Sequence, residues 1–134
     1  MIDYSNEIFT DVAKTVRAAH KGVTVSGEYV RSPSKFPMVT LDEIENVMAG
    51  YLADSSHAEN FAAVSYRLQV FSNKESGKRA EARGLFATAD AKMRSMGFRR
   101  VTYTTTPEIY DSTIYSITAT YTAILGADRY VYKR

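Results

Sequence analysis

At 134 residues and 45 % hydrophobic content, the chain can bury about two-thirds of its unfolded surface in one core and is too apolar to be disordered. It has no cysteine, which excludes disulfides and thiolate metal sites and suits assembly in a reducing cytoplasm, and a formal charge of only +2, which is small for a dedicated nucleic-acid binder. No apolar run approaches the ~20 residues a bilayer span needs, and Met1-Ile2-Asp3-Tyr4 is not a basic region leading into an apolar stretch, so neither a membrane span nor a signal peptide is expected.

Residues 4–21 read as an amphipathic helix, because Tyr4, Ile8, Val12, Val16 and Ala19 recur at the spacing of one helical face. Asp3 is the expected N-cap and Gly22 the stop. Residues 23–30 switch to strand chemistry, with Gly27 marking a bulge or a close backbone approach. After the polar turn at 31–35, Phe36-Pro37 leads into a second strand from Met38 to about Val47. A hairpin is the simplest join between these two strands, with Phe36 anchoring it on the sheet. Residues 48–60 have neither helical nor strand periodicity and read as a long loop, a feature that is often functional.

Residues 61–72 alternate apolar Ala62, Val64, Tyr66, Leu68 and Val70 with mostly polar neighbours, as in a strand covered on one face. Residues 77–96 carry the apolar stripe Ala82, Leu85, Phe86, Ala89, Met93 and Met96. Ser76 is the expected N-cap of this helix; Gly97 is placed for a left-handed end, with Phe98 packing back on Met93. Residues 99–106 and 113–125 read as two more strands, the last with Ser116, Thr118, Thr120 and Thr122 along one face. A face of hydroxyls suits a sheet that contacts another protein, and plain β-propensity explains it as well. The expected fold is one α+β domain spanning 1–134, a mostly antiparallel sheet of about five strands packed with two helices in the order α-β-β-β-α-β-β.

Charge is unevenly placed. Residues 41–60 hold Asp42, Glu43, Glu45, Asp54 and Glu59 and no Lys or Arg, whereas residues 74–100 hold eight basic residues against three acidic ones. Opposite patches on one monomer let copies pair head to tail, the geometry of cyclic rings, although each patch alone is also explained as a solvated face. Asp42, Glu43 and Glu45 are thus candidate inter-subunit residues opposite Lys78, Arg79 and Arg83 of the second helix. On a regular strand, Glu43 and Glu45 share one face and Asp42 opposes them.

The residues for catalysis are sparse. His20 lies at a helix C-terminus, where a cation favours the dipole. His57 has Asp54 and Glu59 nearby, but two histidines and no cysteine offer few metal ligands. No G-x-S-x-G, G-x-G-x-x-G or Walker pattern occurs. The second helix is basic but interleaved with Glu81 and Asp90, so a solvated face explains it at least as well as a nucleic-acid surface. No catalytic residue, cofactor or metal is expected.

Between about Val23 and Leu125 the chain resembles the tail terminator, or tail-completion, proteins of siphophages. The stretches that carry this are Phe36-Pro37-Met38-Val39-Thr40-Leu41 with Glu43; Asp54-Ser55-Ser56 with Glu59 and Asn60; Tyr66 through Phe71-Ser72-Asn73, then Gly77-Lys78; Met93 through Met96-Gly97-Phe98-Arg99; and Asp111-Ser112-Thr113-Ile114-Tyr115 followed by Tyr121. The resemblance implies a structural virion protein, assembled in the host cytoplasm and located at the tail–head junction. It implies a hexameric ring that caps the tail tube, stops its elongation and docks on the head-completion connector. Genomic DNA would pass through such a ring without sequence-specific binding. Basic lumen residues would hold that DNA, so Asp54 and Glu59 are expected on the inner surface or tube-facing rim. Neighbouring neck and stopper proteins share the size and part of the fold, and a small nucleic-acid-binding module is the remaining alternative.

Overall fold

A computed structural model describes residues 1–31, 33–48, 61–107, 113–126 and 131–132. Its elements are α1 (Ser5–Ala19), β1 (Thr24–Ser26), β2 (Met38–Met48), β3 (Phe61–Ser72), α2 (Lys78–Ser95), β4 (Arg99–Pro107), β5 (Tyr115–Gly126) and the short β6 (Val131–Tyr132). The strands lie in the order β1-β2-β3-β5-β4, with β6 also pairing β5. All pairings are antiparallel except β1 with β2. The fold is therefore α+β, in the element order that periodicity predicts.

The helices cover one face of the sheet, and the core lies between. From α1 come Ile8, Val12, Ala13 and Val16; from α2 come Ala82, Leu85, Phe86, Ala89 and Met93. They meet the inward residues of β3 and β5, among which Tyr66, Leu68, Ile117 and Tyr121 are fully enclosed. Ala19, expected on the same stripe, is exposed. The helix ends there, and its C-cap residue His20 instead bonds through Nε2 to the Thr88 hydroxyl of α2 at 2.8 Å.

The termini of the helices follow backbone chemistry more closely than side-chain capping. Tyr4, not Asp3, is the N-cap of α1. Asp3 still serves that end, accepting the Ser5 N–H at 3.0 Å and its hydroxyl at 2.6 Å, and these bonds hold its carboxyl below the ordinary value. For α2 the N-cap is Gly77 rather than Ser76, because a left-handed backbone (φ +91°) turns the chain into the helix. Its C-terminus is a Schellman motif: Phe98 N–H bonds the Met93 carbonyl at 3.2 Å and Gly97 N–H the Arg94 carbonyl at 3.0 Å, with Gly97 at φ +94°.

Four expectations are corrected at the first strands. β1 and β2 do not form a hairpin; Val25 lies beside Val39 in a parallel register, and Thr24 N–H bonds the Pro37 carbonyl at 3.0 Å. The connecting loop crosses the outer face of the sheet instead of turning at its edge. Pro33 is buried, and the Arg67 guanidinium on β3 sits 4.1 Å from the Tyr29 ring centroid. Phe36 is half-buried and stands outside the core cluster, so the ~3–5 kcal/mol loss expected on truncating a fully buried ring does not apply to it. Third, Glu43 and Glu45 do not share a face. The register shifts between them, leaving Ile44 as an extra residue. Glu43 then pairs with inward Tyr66, and Glu45 with outward Ser65. Met48, expected at the start of the long loop, is the last residue of β2.

Candidate functional site

The sheet has two flanks of different chemistry. On the first, β2 carries Asp42, Glu43 and Glu45. Asp42 is taken up within the subunit by Arg67, whose Nη2 lies 2.7 Å and Nε 3.3 Å from its two carboxylate oxygens. Such a half-exposed pair is worth at most about 1 kcal/mol. Glu43 accepts the Tyr66 hydroxyl at 2.7 Å. Burial, together with this bond and the Glu43 charge, pushes the Tyr66 phenol well above its ordinary range, so it stays a neutral donor. Glu45 is exposed, with no described ion pair.

The opposite flank is formed by α2 lying over β4. At its centre is Asp90, only 6 % exposed. Its Oδ1 accepts the Tyr121 hydroxyl at 2.6 Å and Arg100 Nη1 at 2.7 Å; its Oδ2 accepts Arg94 Nε at 2.9 Å. Burial alone would raise the Asp90 carboxyl, but the bonds from Tyr121, Arg100 and Arg94 outweigh it and hold the group below the usual carboxylate range. Asp90 in turn secures the Arg100 charge. Above this cluster, Arg83, Phe86, Arg100 and Tyr103 line an open hollow of about 370 Å³. The Phe86 and Tyr103 rings meet edge to face at 5.0 Å between centroids, and the Arg100 guanidinium lies 5.9 Å from each.

Of the basic residues singled out by sequence, the structure brings only Arg83 into this hollow. Arg79, one turn earlier, is exposed on the same side of α2. Lys78 sits elsewhere, at the start of the helix beside Asn73, Lys74, Glu75 and Thr113. Asp54, Glu59 and His57 lie outside the described residues. The Asp90 cluster is absent from the sequence-based candidates. Its signal was there: Asp90 falls within the apolar stripe, one turn from both Phe86 and Met93, where a lone carboxylate needs partners.

Asp90 is buried under three donors and held ionised, and Tyr66 and Tyr121 are held neutral. Asp90 with Tyr121 and Arg100 fastens helix to sheet, and Tyr66 with Glu43 joins β3 to β2. Among the described residues no three His, Cys, Asp or Glu side chains converge on a metal position. No described helix is long and apolar enough to cross a membrane. The chain matches no family model, and no curated protein matches it.

Proposed function

We propose that the chain is a structural ring subunit of the siphophage tail-terminator kind and performs no catalysis. In this reading it forms a hexamer at the tail–head junction of the virion, caps the tail tube, stops its growth and joins the head-completion connector. Genomic DNA passes through the ring, and Asp54 and Glu59 line its lumen or tube-facing rim. A position elsewhere in the neck, as a stopper protein, is the alternative within the same structural class.

The observation that carries the proposal is the separation of charge across one sheet. Glu45 stands exposed on β2, and Arg79, Arg83 and Arg99 stand exposed on α2 or β4, with β3 and β5 between the two edge strands. A subunit with unlike flanks can repeat head to tail, and such a heterologous contact closes into a ring when the rotation allows. The family resemblance supplies the biological setting.

Sedimentation velocity and negative-stain electron microscopy test this directly, with and without tail-tube protein. Rings, or rings capping tubes, are the expected result. A strict monomer at high concentration that does not engage tubes would overturn it. The basic flank also favours a second reading, a small nucleic-acid-binding module; that one requires duplex binding that weakens steeply with salt, and no binding at low salt removes it.

A further inference from the structure

Two edges of the sheet have no described strand beside them. β1 covers β2 only at residues 38–40, leaving residues 41–48 uncovered on that side. At the other end of the strand order, β4 pairs with β5 alone. Edge strands in monomers are normally blunted by charge, proline or bulges. Here both edges do carry a bulge, at Ile44 and at Val101, yet the residue each bulge adds is aliphatic and exposed. Of the seven large hydrophobic residues exposed among the described ones, five lie on these two strands: Ile44, Val47 and Met48 on β2, Val101 and Tyr103 on β4. Residues 99–105 are exposed without exception. Solvated strands do not concentrate apolar side chains in this way; strands that are covered in an assembly do.

Strand direction selects what covers them. Three successive antiparallel pairings, β2 with β3, β3 with β5 and β5 with β4, make β4 run opposite to β2. A second copy placed in the same orientation beside β4 therefore presents its β2 antiparallel, in register for main-chain bonding, with helices on the same side. Charge agrees. The incoming edge, residues 41–48, holds three carboxylates and no Lys or Arg, and the receiving edge holds exposed Arg99 and Arg100. Of the inward side chains on that incoming edge (Leu41, Glu43, Asn46 and Met48), Met48 is exposed and would lie on the same side as the hollow lined by Arg83, Phe86, Arg100 and Tyr103.

We propose, resting on the ring reading above, that neighbouring subunits join by sheet augmentation, with β4 of one copy pairing antiparallel to residues 41–48 of the next. The contact is heterologous, so each copy uses both edges once and a closed ring leaves neither open.

The chain has no cysteine, so introduced thiols report without background. Thr104 on β4 pairs with outward Thr118, and Val47 on β2 with Ala63, so both lie on the outer face of the sheet. Glu45 lies two residues from Val47 on that face, and Glu45→Cys covers a two-residue slip in register. Thr104→Cys combined with Val47→Cys or Glu45→Cys should give, with a short bis-maleimide, a ladder of covalent species ending at the ring number. Mixing the single variants should give covalent dimers only, and each single variant alone none. Self-cross-linking of Thr104→Cys alone would mean a symmetric β4–β4 contact and overturn the proposal. Intact rings by microscopy with no cross-link in any pair would also overturn it while leaving the ring reading standing. Monomers by sedimentation that also fail to engage tail tubes, before any reagent, would remove the ring reading and this one with it. Unchanged melting temperatures of the uncross-linked variants confirm that the substitutions leave the fold intact.

Discussion

Asp90 connects three elements through one carboxylate: its own helix by Arg94, β4 by Arg100 and β5 by Tyr121. An isosteric amide at this position accepts with one atom and opposes the guanidinium groups with the other. Asp90→Asn should therefore destabilise the protein by about 1–3 kcal/mol at neutral pH, measured by urea unfolding. The pH dependence follows from the depressed carboxyl. Because the folded form binds this proton less readily than the unfolded chain, the stabilisation is complete above the ordinary carboxylate value of 3.8 and declines as pH falls toward the lower folded value. The variant should show a shallower loss of stability over that acid range; an acid limb as steep as the parent's would assign the effect to other carboxylates. Arg94 and Arg100 remain exposed enough to rehydrate, which keeps the cost at the low end of a broken buried pair.

At the scale of elements, β3, β5 and α2 could be read from the sequence because each carries a local period that its packing then uses. The Schellman end of α2 was equally legible, since Gly97 and Phe98 stand beside the helix they close. Gly97→Ala should cost about 1–2 kcal/mol, because an L-residue resists the φ of +94°; thermal unfolding measures it, and no change would mean the turn relaxes. What stayed hidden depends on partners distant in sequence. The parallel register of Val25 with Val39 depends on a loop laid over Arg67, not on turn residues. The bulge at Ile44 is set by β3 opposite and leaves no mark in an unbroken strand-like run. Of the candidate surface, the charge imbalance was visible. That Asp42 is engaged by Arg67, that Lys78 lies away from the hollow, and that Asp90 organises it were not, because each is settled by the fold.

For the whole molecule, the ring reading makes a prediction about salt. Attraction between the acidic β2 edge and the arginines of the β4 flank acts at the surface, where the screening length falls from about 10 Å at 0.1 M salt to about 3 Å at 1 M. Main-chain pairing and the apolar residues of β2 and β4 are not screened. Raising salt over that range should slow ring formation more than it dissolves rings already made, because charge mainly steers the encounter. Light scattering after a concentration jump separates the two. Rings that fall apart at once in high salt would mean that ion pairs alone hold them.

The central pair of the sheet also fixes an order of events in time. β3 is matched along its length by β5, from Phe61 against Gly126 to Ser72 against Tyr115. Every one of those bonds spans α2 and β4, so none can form on the ribosome until β5 has emerged. Until then β3 can pair only with β2, and its other side is bare. Contacts this distant in sequence close slowly. The nascent chain therefore passes through a stage in which its most apolar strand is open to any strand nearby, including one from another copy still being made. Folding of the monomer must finish before partners meet, and synthesis rate and crowding among adjacent ribosomes set how much of the chain survives to do so.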